Sequence, residues 1–258
     1  MTPPPAFLPG RKNHSSSGLG RLLVADVHLG DTARNHVFFN FLRDDGRWAD
    51  ELYLLGDVVD AWLGDDDGGV LANTLRRELS ALTAAGVRLL VQRGNHDFLM
   101  GRRFCREVGG MMLPDEHVLT LADGRRLLLM HGDTLCGDAA YMRYRRWVRG
   151  RLFAWVAGLL PFAARRWVAK KMLRHSERQH RPVEIQLSLA AAALRRHHCQ
   201  TLIHGHTHAP GEERWRDDGQ TLTRYCLPAW ESAPGYIGID EGGVNLHSLP
   251  PAAKPGKR

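Results

Sequence analysis

The chain reads as an α/β fold. Two observations predict it. Apolar runs of strand length, such as Arg21-Leu22-Leu23-Val24-Ala25 and Glu51-Leu52-Tyr53-Leu54-Leu55, alternate with stretches whose apolar residues recur at helical spacing. Five of the apolar runs end in a short polar block: Asp26-Val27-His28, Gly56-Asp57, Gly94-Asn95-His96-Asp97, His131-Gly132-Asp133 and His204-Gly205-His206-Thr207-His208. Ligand sites of α/β sheets lie at the carboxyl ends of strands. One Asp or His at a strand end would mean little, but five matched blocks imply a single crevice.

The elements follow in order. Residues 20–25 form the first strand. Thr32 to Arg43 has Val37, Phe38, Phe41 and Leu42 at helical spacing. Residues 51–55 form the second strand, and Val70 to Ala84 a helix with Leu71, Leu75, Leu79 and Leu82 on one face. A third strand covers 87–92 and a short helix runs from Gly101 to Val108. Val118–Leu121 and Arg126–Met130 flank Asp123-Gly124 as a hairpin whose second strand delivers His131. Pro182 to Arg196 is a helix leading into the strand Thr201-Leu202-Ile203. Glu212–Trp215 with Thr221–Cys226, and Tyr236–Ile239 with Val244–Leu246, read as two further hairpins.

The five blocks collect Asp, Asn and His, a donor set of carboxylate, amide oxygen and imidazole. Such a set suits Mn²⁺, Fe²⁺ or Zn²⁺ and needs no thiolate. In an extended segment alternate side chains share a direction, so His206 and His208 are expected to reach toward one point. Seven ligands exceed the needs of one ion. Two ions sharing a carboxylate fit better, an arrangement that activates water for attack on phosphorus. Asp97 is expected to orient an imidazole from behind. Asp65-Asp66-Asp67 is read as a polar turn in preference to a cation site.

From Ala139 to Ser176 there is no acidic residue, but there are ten basic ones: Arg143, Arg145, Arg146, Arg149, Arg151, Arg165, Arg166, Lys170, Lys171 and Arg174. The whole chain carries +7, so the remainder is net acidic. The segment also holds Trp147, Phe153, Trp155, Phe162 and Trp167 around an apolar stretch, Leu152 to Ala164, of 13 residues. That is too short to span a bilayer. Basic and aromatic residues together fit an anionic membrane surface, or a helical hairpin packed on the main domain. The apolar stretch argues against a nucleic-acid-tracking surface. Cys105, Cys136, Cys199 and Cys226 form no C-x-x-C pair, which suggests a reducing compartment. Residues 1–19 read as a disordered leader without the apolar core of a signal peptide, and 250–258 as a disordered tail. One domain over 20–249, with an insertion at about 138–180, is expected between them.

The five blocks match D-x-H, GD, GN[H/R]D, a lone H and G-H-x-H, and the chain so resembles the calcineurin-like metallophosphoesterases. Ala61-Trp62-Leu63-Gly64-Asp65-Asp66-Asp67, Phe98-Leu99-Met100-Gly101 and His131-Gly132-Asp133-Thr134-Leu135-Cys136 resemble, within that superfamily, the UDP-2,3-diacylglucosamine pyrophosphatases of lipid A biosynthesis. The resemblance covers roughly residues 20–248. It implies a β-sandwich flanked by helices, with the basic segment as a helical lid over acyl chains. It implies two Mn²⁺ ions, with Fe²⁺ or Zn²⁺ as alternatives: one held by Asp26, His28, Asp57 and His208, the other by Asp57, Asn95, His131 and His206. His96 and Asp97 would be catalytic. Asn95, His96, Asp138, Tyr141, Ser176 and His206 would contact a UDP-linked diacylated glucosamine lipid, cleaved to UMP and 2,3-diacylglucosamine 1-phosphate at the cytoplasmic face of the inner membrane. Two departures stand out. Those enzymes usually carry Arg where His96 stands, and Arg181-Pro182-Val183 replaces an expected lysine. A phosphoesterase acting on another nucleotide or lipid phosphate is the alternative.

Overall fold

The computed structural model describes residues 8–9, 20–30, 32–150, 153, 159–165, 167 and 184–250. The strands are β1 (Leu8–Pro9), β2 (Arg21–Val24), β3 (Glu51–Leu55), β4 (Arg88–Gln92), β5 (Met111–Met112), β6 (His117–Thr120), β7 (Arg126–Leu129), β8 (Thr201–His204), β9 (Gly211–Asp217), β10 (Gln220–Cys226), β11 (Gly235–Asp240) and β12 (Gly243–Ser248). The helices are α1 (Thr32–Asp44), α2 (Val70–Ala84), α3 (Arg102–Glu107), α4 (Ala139–Val148) and α5 (Leu187–Arg196). Seven strands form one sheet in the order β1-β12-β11-β2-β3-β4-β5. The other five form a second in the order β6-β7-β8-β10-β9.

Side chains alternate across a strand, and this alternation builds the layers. Leu22, Val24, Leu52 and Leu54 face outward onto Phe38, Phe41, Leu75 and Leu79 of α1 and α2. Leu23, Tyr53 and Leu55 face inward onto Leu127, Leu129 and Ile203 of the second sheet. Leu128 and Leu202 point the other way, onto Ala190, Ala191 and Leu194 of α5. The result is two sheets face to face with helices outside both. Each fully buried leucine contributes about 1.5–3 kcal/mol.

The same register places the strand ends. β2, β3 and β4 are parallel, with Val24 opposite Leu54 and Leu54 opposite Val91. Parallel neighbours need crossover connections, supplied here by α1 and α2. Asp26, Asp57 and Asn95 therefore leave the carboxyl ends of three neighbouring strands of the first sheet together. β7 and β8 are also parallel, with Leu129 opposite Ile203. His131, His206 and His208 leave the carboxyl ends of these two strands of the second sheet.

Three expectations need correction. The helix expected from Pro182 starts at Leu187. Gln186 is still extended (φ −83°, ψ 115°), and its N–H donates to the Leu135 carbonyl at 2.8 Å. Residues 182–183 lie outside the described residues. In the expected leader, Leu8 and Pro9 pair in parallel with His247 and Ser248, since β12 would otherwise leave an open edge. The other leader residues through 19 lie outside the described residues, as do 251–258 of the tail. Finally, not all ten basic residues face outward. Arg145 pairs with Asp133 and Asp115, Arg149 with Asp115, and Arg165 with Asp66. A carboxylate on the main domain neutralises each. Arg143 and Arg146 of α4 are exposed. No helix among the described residues is long and apolar enough to cross a membrane.

Candidate metal centre

Five of the seven ligand candidates have left-handed backbone: Asp26 (φ 51°), His28 (51°), Asp57 (53°), His206 (68°) and His208 (54°). Non-glycine residues adopt this region at a cost of about 1–3 kcal/mol each, and such residues cluster at functional sites. Here the backbone turns sharply as it leaves each strand and aims the side chains into the crevice. His206 and His208 are consequently not aligned as in an extended segment. His206 groups with Asp57 and His131, while His208 groups with Asp26 and His28.

The loops also approach closely. A Cβ on Gly94 would lie 2.0 Å from Oδ1 of Asp57 and 2.5 Å from its backbone N. Gly94→Ala is therefore expected to displace Asp57. Metal affinity and turnover should fall together by about 10–100-fold, as when groups behind a ligand are removed. Metal analysis beside a rate measurement checks this, and two unchanged values would contradict it.

Three groups of side chains bring ligand atoms within 4.8 Å of one another: Asp26, His28 and His208; His28, Asp57 and His96; Asp57, His131 and His206. Asp57 links the last two and is 1% exposed. Its Oδ2 lies 3.4 Å from Nε2 of His131 and 4.0 Å from Nε2 of His28 and of His96. Oδ1 of Asp26 lies 3.7 Å from Nε2 of His208. The rings of His28 and His96 meet edge to face at 4.7 Å, and those of His131 and His206 at 5.1 Å.

The residues fit a pair of cations. Oδ1 of Asp26 and Nε2 of His28 are buried with no hydrogen-bond partner, a state that is costly to leave uncompensated. His131 donates through Nδ1 to the Leu55 carbonyl at 3.0 Å. In the neutral ring its Nε2 then carries a lone pair, which faces Oδ1 of Asn95 at 2.9 Å and Oδ2 of Asp57. Lone pairs so placed repel unless a proton or a cation sits between them. Burial opposes charge on His131, but the Asp57 carboxylate outweighs it and pushes the imidazole up to about 10. Burial, then His131, takes His206 down to about 4 and keeps it neutral, the form that binds metal.

Behind these groups stands Asp60, which the sequence did not single out. Asp60 lies with Oδ1 3.5 Å from Nδ1 of His28, and its carbonyl accepts from Nδ1 of His96 at 2.9 Å. The His96 N–H donates to Oδ1 of Asp57 at 2.8 Å, and the His206 N–H to Oδ2 of Asp26 at 2.8 Å. Asp97 was expected behind an imidazole. Instead it is fully buried, and its oxygens accept from the N–H of Gly94 at 2.6 Å and of Val58 at 2.9 Å. It clamps the two loops that carry Asp57 and Asn95. His204 is also fully buried; Nδ1 donates to the Gly205 carbonyl at 2.7 Å and Nε2 accepts from Arg224 at 3.2 Å.

Residues 21–210 match the family model described as calcineurin-like phosphoesterase. The chain belongs to the calcineurin-like phosphoesterase family. It is a hydrolase of that family, which implies divalent metal ions at the clusters just described. Among curated relatives, it is 40% identical over 238 residues to the UDP-2,3-diacylglucosamine hydrolase of Pseudomonas paraeruginosa, covering 89% of this chain and 98% of that protein. It is 37% identical to the Edwardsiella ictaluri protein of the same name, covering 90% of this chain and 93% of that one. The Escherichia coli protein of that name is 36% identical, covering 90% of this chain and all of that protein.

The substrate candidates on this calcineurin-like phosphoesterase stand as follows. Asn95, His96 and His206 line the clusters. Asp138 caps α4, accepting from the N–H of Ala140 and Tyr141. The Tyr141 hydroxyl donates to Oδ2 of buried Asp133 at 2.5 Å. Ser176 and Trp155 lie outside the described residues. Of the acidic run, Asp65 accepts from the indole of Trp62 and the N–H of Gly101 and Phe104; Asp66 pairs with Arg165, and Asp67 accepts from Gly69. Those contacts agree with a polar turn.

Proposed function

We propose that this calcineurin-like phosphoesterase is a Mn²⁺-dependent hydrolase of UDP-2,3-diacylglucosamine. It cleaves the pyrophosphate bond to give UMP and 2,3-diacylglucosamine 1-phosphate. The reading rests on one juxtaposition: two ligand groups linked through Asp57 and His28, beside a segment that exposes large apolar side chains. Trp147 (63%), Leu159 (65%) and Trp167 (66%) are strongly exposed, which is unusual in a water-facing helical segment. The relatives' name supports the choice of substrate.

Asp26, His28, Asp57 and His208 would hold one ion, and Asp57, Asn95, His131 and His206 the other. Bound there, the pair would neutralise charge developing at phosphorus and lower the pKa of water. Mn²⁺ suits this set of carboxylate, amide oxygen and imidazole, with Fe²⁺ or Zn²⁺ as alternatives. Asp97 fixes the loops. His96 gives its Nδ1–H to the Asp60 carbonyl, so it would act on the leaving group from Nε2. Asp138, Tyr141 and Ser176 are carried over as substrate contacts at the start and end of the insertion, about 138–180, within one domain over 20–249. Arg143 and Arg146, with the exposed tryptophans, would rest on the anionic cytoplasmic face of the inner membrane, at about 1 kcal/mol per basic residue.

One observation favours the alternative phosphoesterase: His96 stands where those enzymes usually have Arg. Two variants separate these readings. His96→Ala is expected to lower turnover of UDP-2,3-diacylglucosamine by about 10²–10⁴-fold with metal content intact. His96→Arg should keep much of the activity if the residue mainly binds phosphate. Loss of metal from both variants would make His96 a ligand. An Arg variant that gains on this substrate and loses on other diesters would favour a different natural substrate.

A further inference from the structure

The helix that opens the insertion is fastened to the loops on both sides of the Asn95–His131 group. Along it, Tyr141 and Arg145 hold Asp133, two residues after His131, at 2.5 and 2.7 Å. At its end, Arg149 reaches the loop before Asn95. Nη2 donates to the Gly94 carbonyl at 2.9 Å and to the Arg93 carbonyl at 3.2 Å, while Nη1 pairs with Asp115 at 2.5 Å. Asp115 also accepts from Arg145 at 2.9 Å, so one carboxylate locks the two arginines together. Gly94 itself sits against Asp57, with no room for a Cβ.

We propose that Arg149 is a positioning residue for the second metal ion. Its fork fixes the peptide that precedes Asn95 and His96, and so couples seating of α4 to the geometry of that half of the site. A rigid guanidinium suits this task because its donors are set in one plane and bridge several acceptors. The inference rests on the dinuclear reading, and the wild-type protein tests that reading separately.

The test is Mn²⁺ titration of metal-stripped protein, with free Mn²⁺ read by electron paramagnetic resonance. Turnover of a soluble diester, bis(p-nitrophenyl) phosphate, is measured beside it. Wild type is expected to bind two ions; fewer would remove the dinuclear reading and this inference with it. Arg149→Met is expected to weaken one ion by about 10–100-fold and leave the other unchanged. It should lower kcat on the diester more than it raises KM. Arg149→Lys keeps the charge beside Asp115 but places its donors on a single nitrogen without the planar fork, and should fall between wild type and Met. Asp66→Ala, which removes the carboxylate that Arg165 pairs with and so loosens the insertion away from Arg93 and Gly94, is the control and should match wild type. Wild-type affinity for both ions in the Met variant would overturn the proposal. So would equal losses in Arg149→Met and Asp66→Ala, since Arg149 would then act only by holding the insertion. If the Met variant does not fold, an affinity in Arg149→Lys equal to wild type overturns it, and a weakened second ion supports it.

Discussion

Asp57→Asn is expected to abolish hydrolysis and to reduce bound metal. Asp57 is 1% exposed and is the carboxylate shared by the His28–His96 and His131–His206 groups. Oδ1 is already used by the His96 N–H, which an amide oxygen could still accept. The substitution should therefore spare the loop and remove the charge. Burial opposes that charge, yet His131 and His96 around it hold the Asp57 carboxyl well below its ordinary value. Charge stabilisation by metal ions at phosphorus is worth several kcal/mol. Its loss is expected to lower the rate by about 10³-fold or more, at 1.36 kcal/mol per tenfold. Metal analysis and turnover measured on one preparation check this. Full activity with two bound ions would remove the shared-carboxylate assignment.

Replacing Phe162 and Trp167 together with Asp is expected to cripple hydrolysis of the diacylated substrate. It should leave turnover of a small soluble diester nearly unchanged. Trp167 is 66% exposed and Phe162 36%, so neither is needed to fill the main core. Each methylene of an acyl chain covered by such side chains is worth about 0.8 kcal/mol. Binding energy from a remote chain can be expressed in the transition state, so kcat/KM should fall steeply on the lipid alone. Equal loss on both substrates would mean that these side chains support the fold. No loss on either would leave a phosphoesterase of some other substrate.

Much of this was legible in the chain. Apolar runs such as Leu22 to Ala25, ending in Asp or His, announce both the sheets and the site. The parallel register then brings the ends together. What stayed hidden depends on contacts between distant residues. Nothing near His206 predicts that its N–H will bind Asp26, 180 positions earlier. Nor does the spacing of His206 and His208 reveal the left-handed turns that send them to different groups. Asp97 was expected behind an imidazole. Its burial between Gly94 and Val58 depends on how two loops pack. Arg145, Arg149 and Arg165 looked like surface charge because their acidic partners lie outside the segment. Asp60 followed Asp57 by three residues and could have been noticed as a neighbour of His28, but no motif pointed to it.

The most direct test of the account is product analysis with purified UDP-2,3-diacylglucosamine and Mn²⁺, after stripping with a chelator. Restored turnover giving UMP and 2,3-diacylglucosamine 1-phosphate in equal amounts is the predicted result. Release of UDP, or no turnover by protein that has bound two ions, would contradict it.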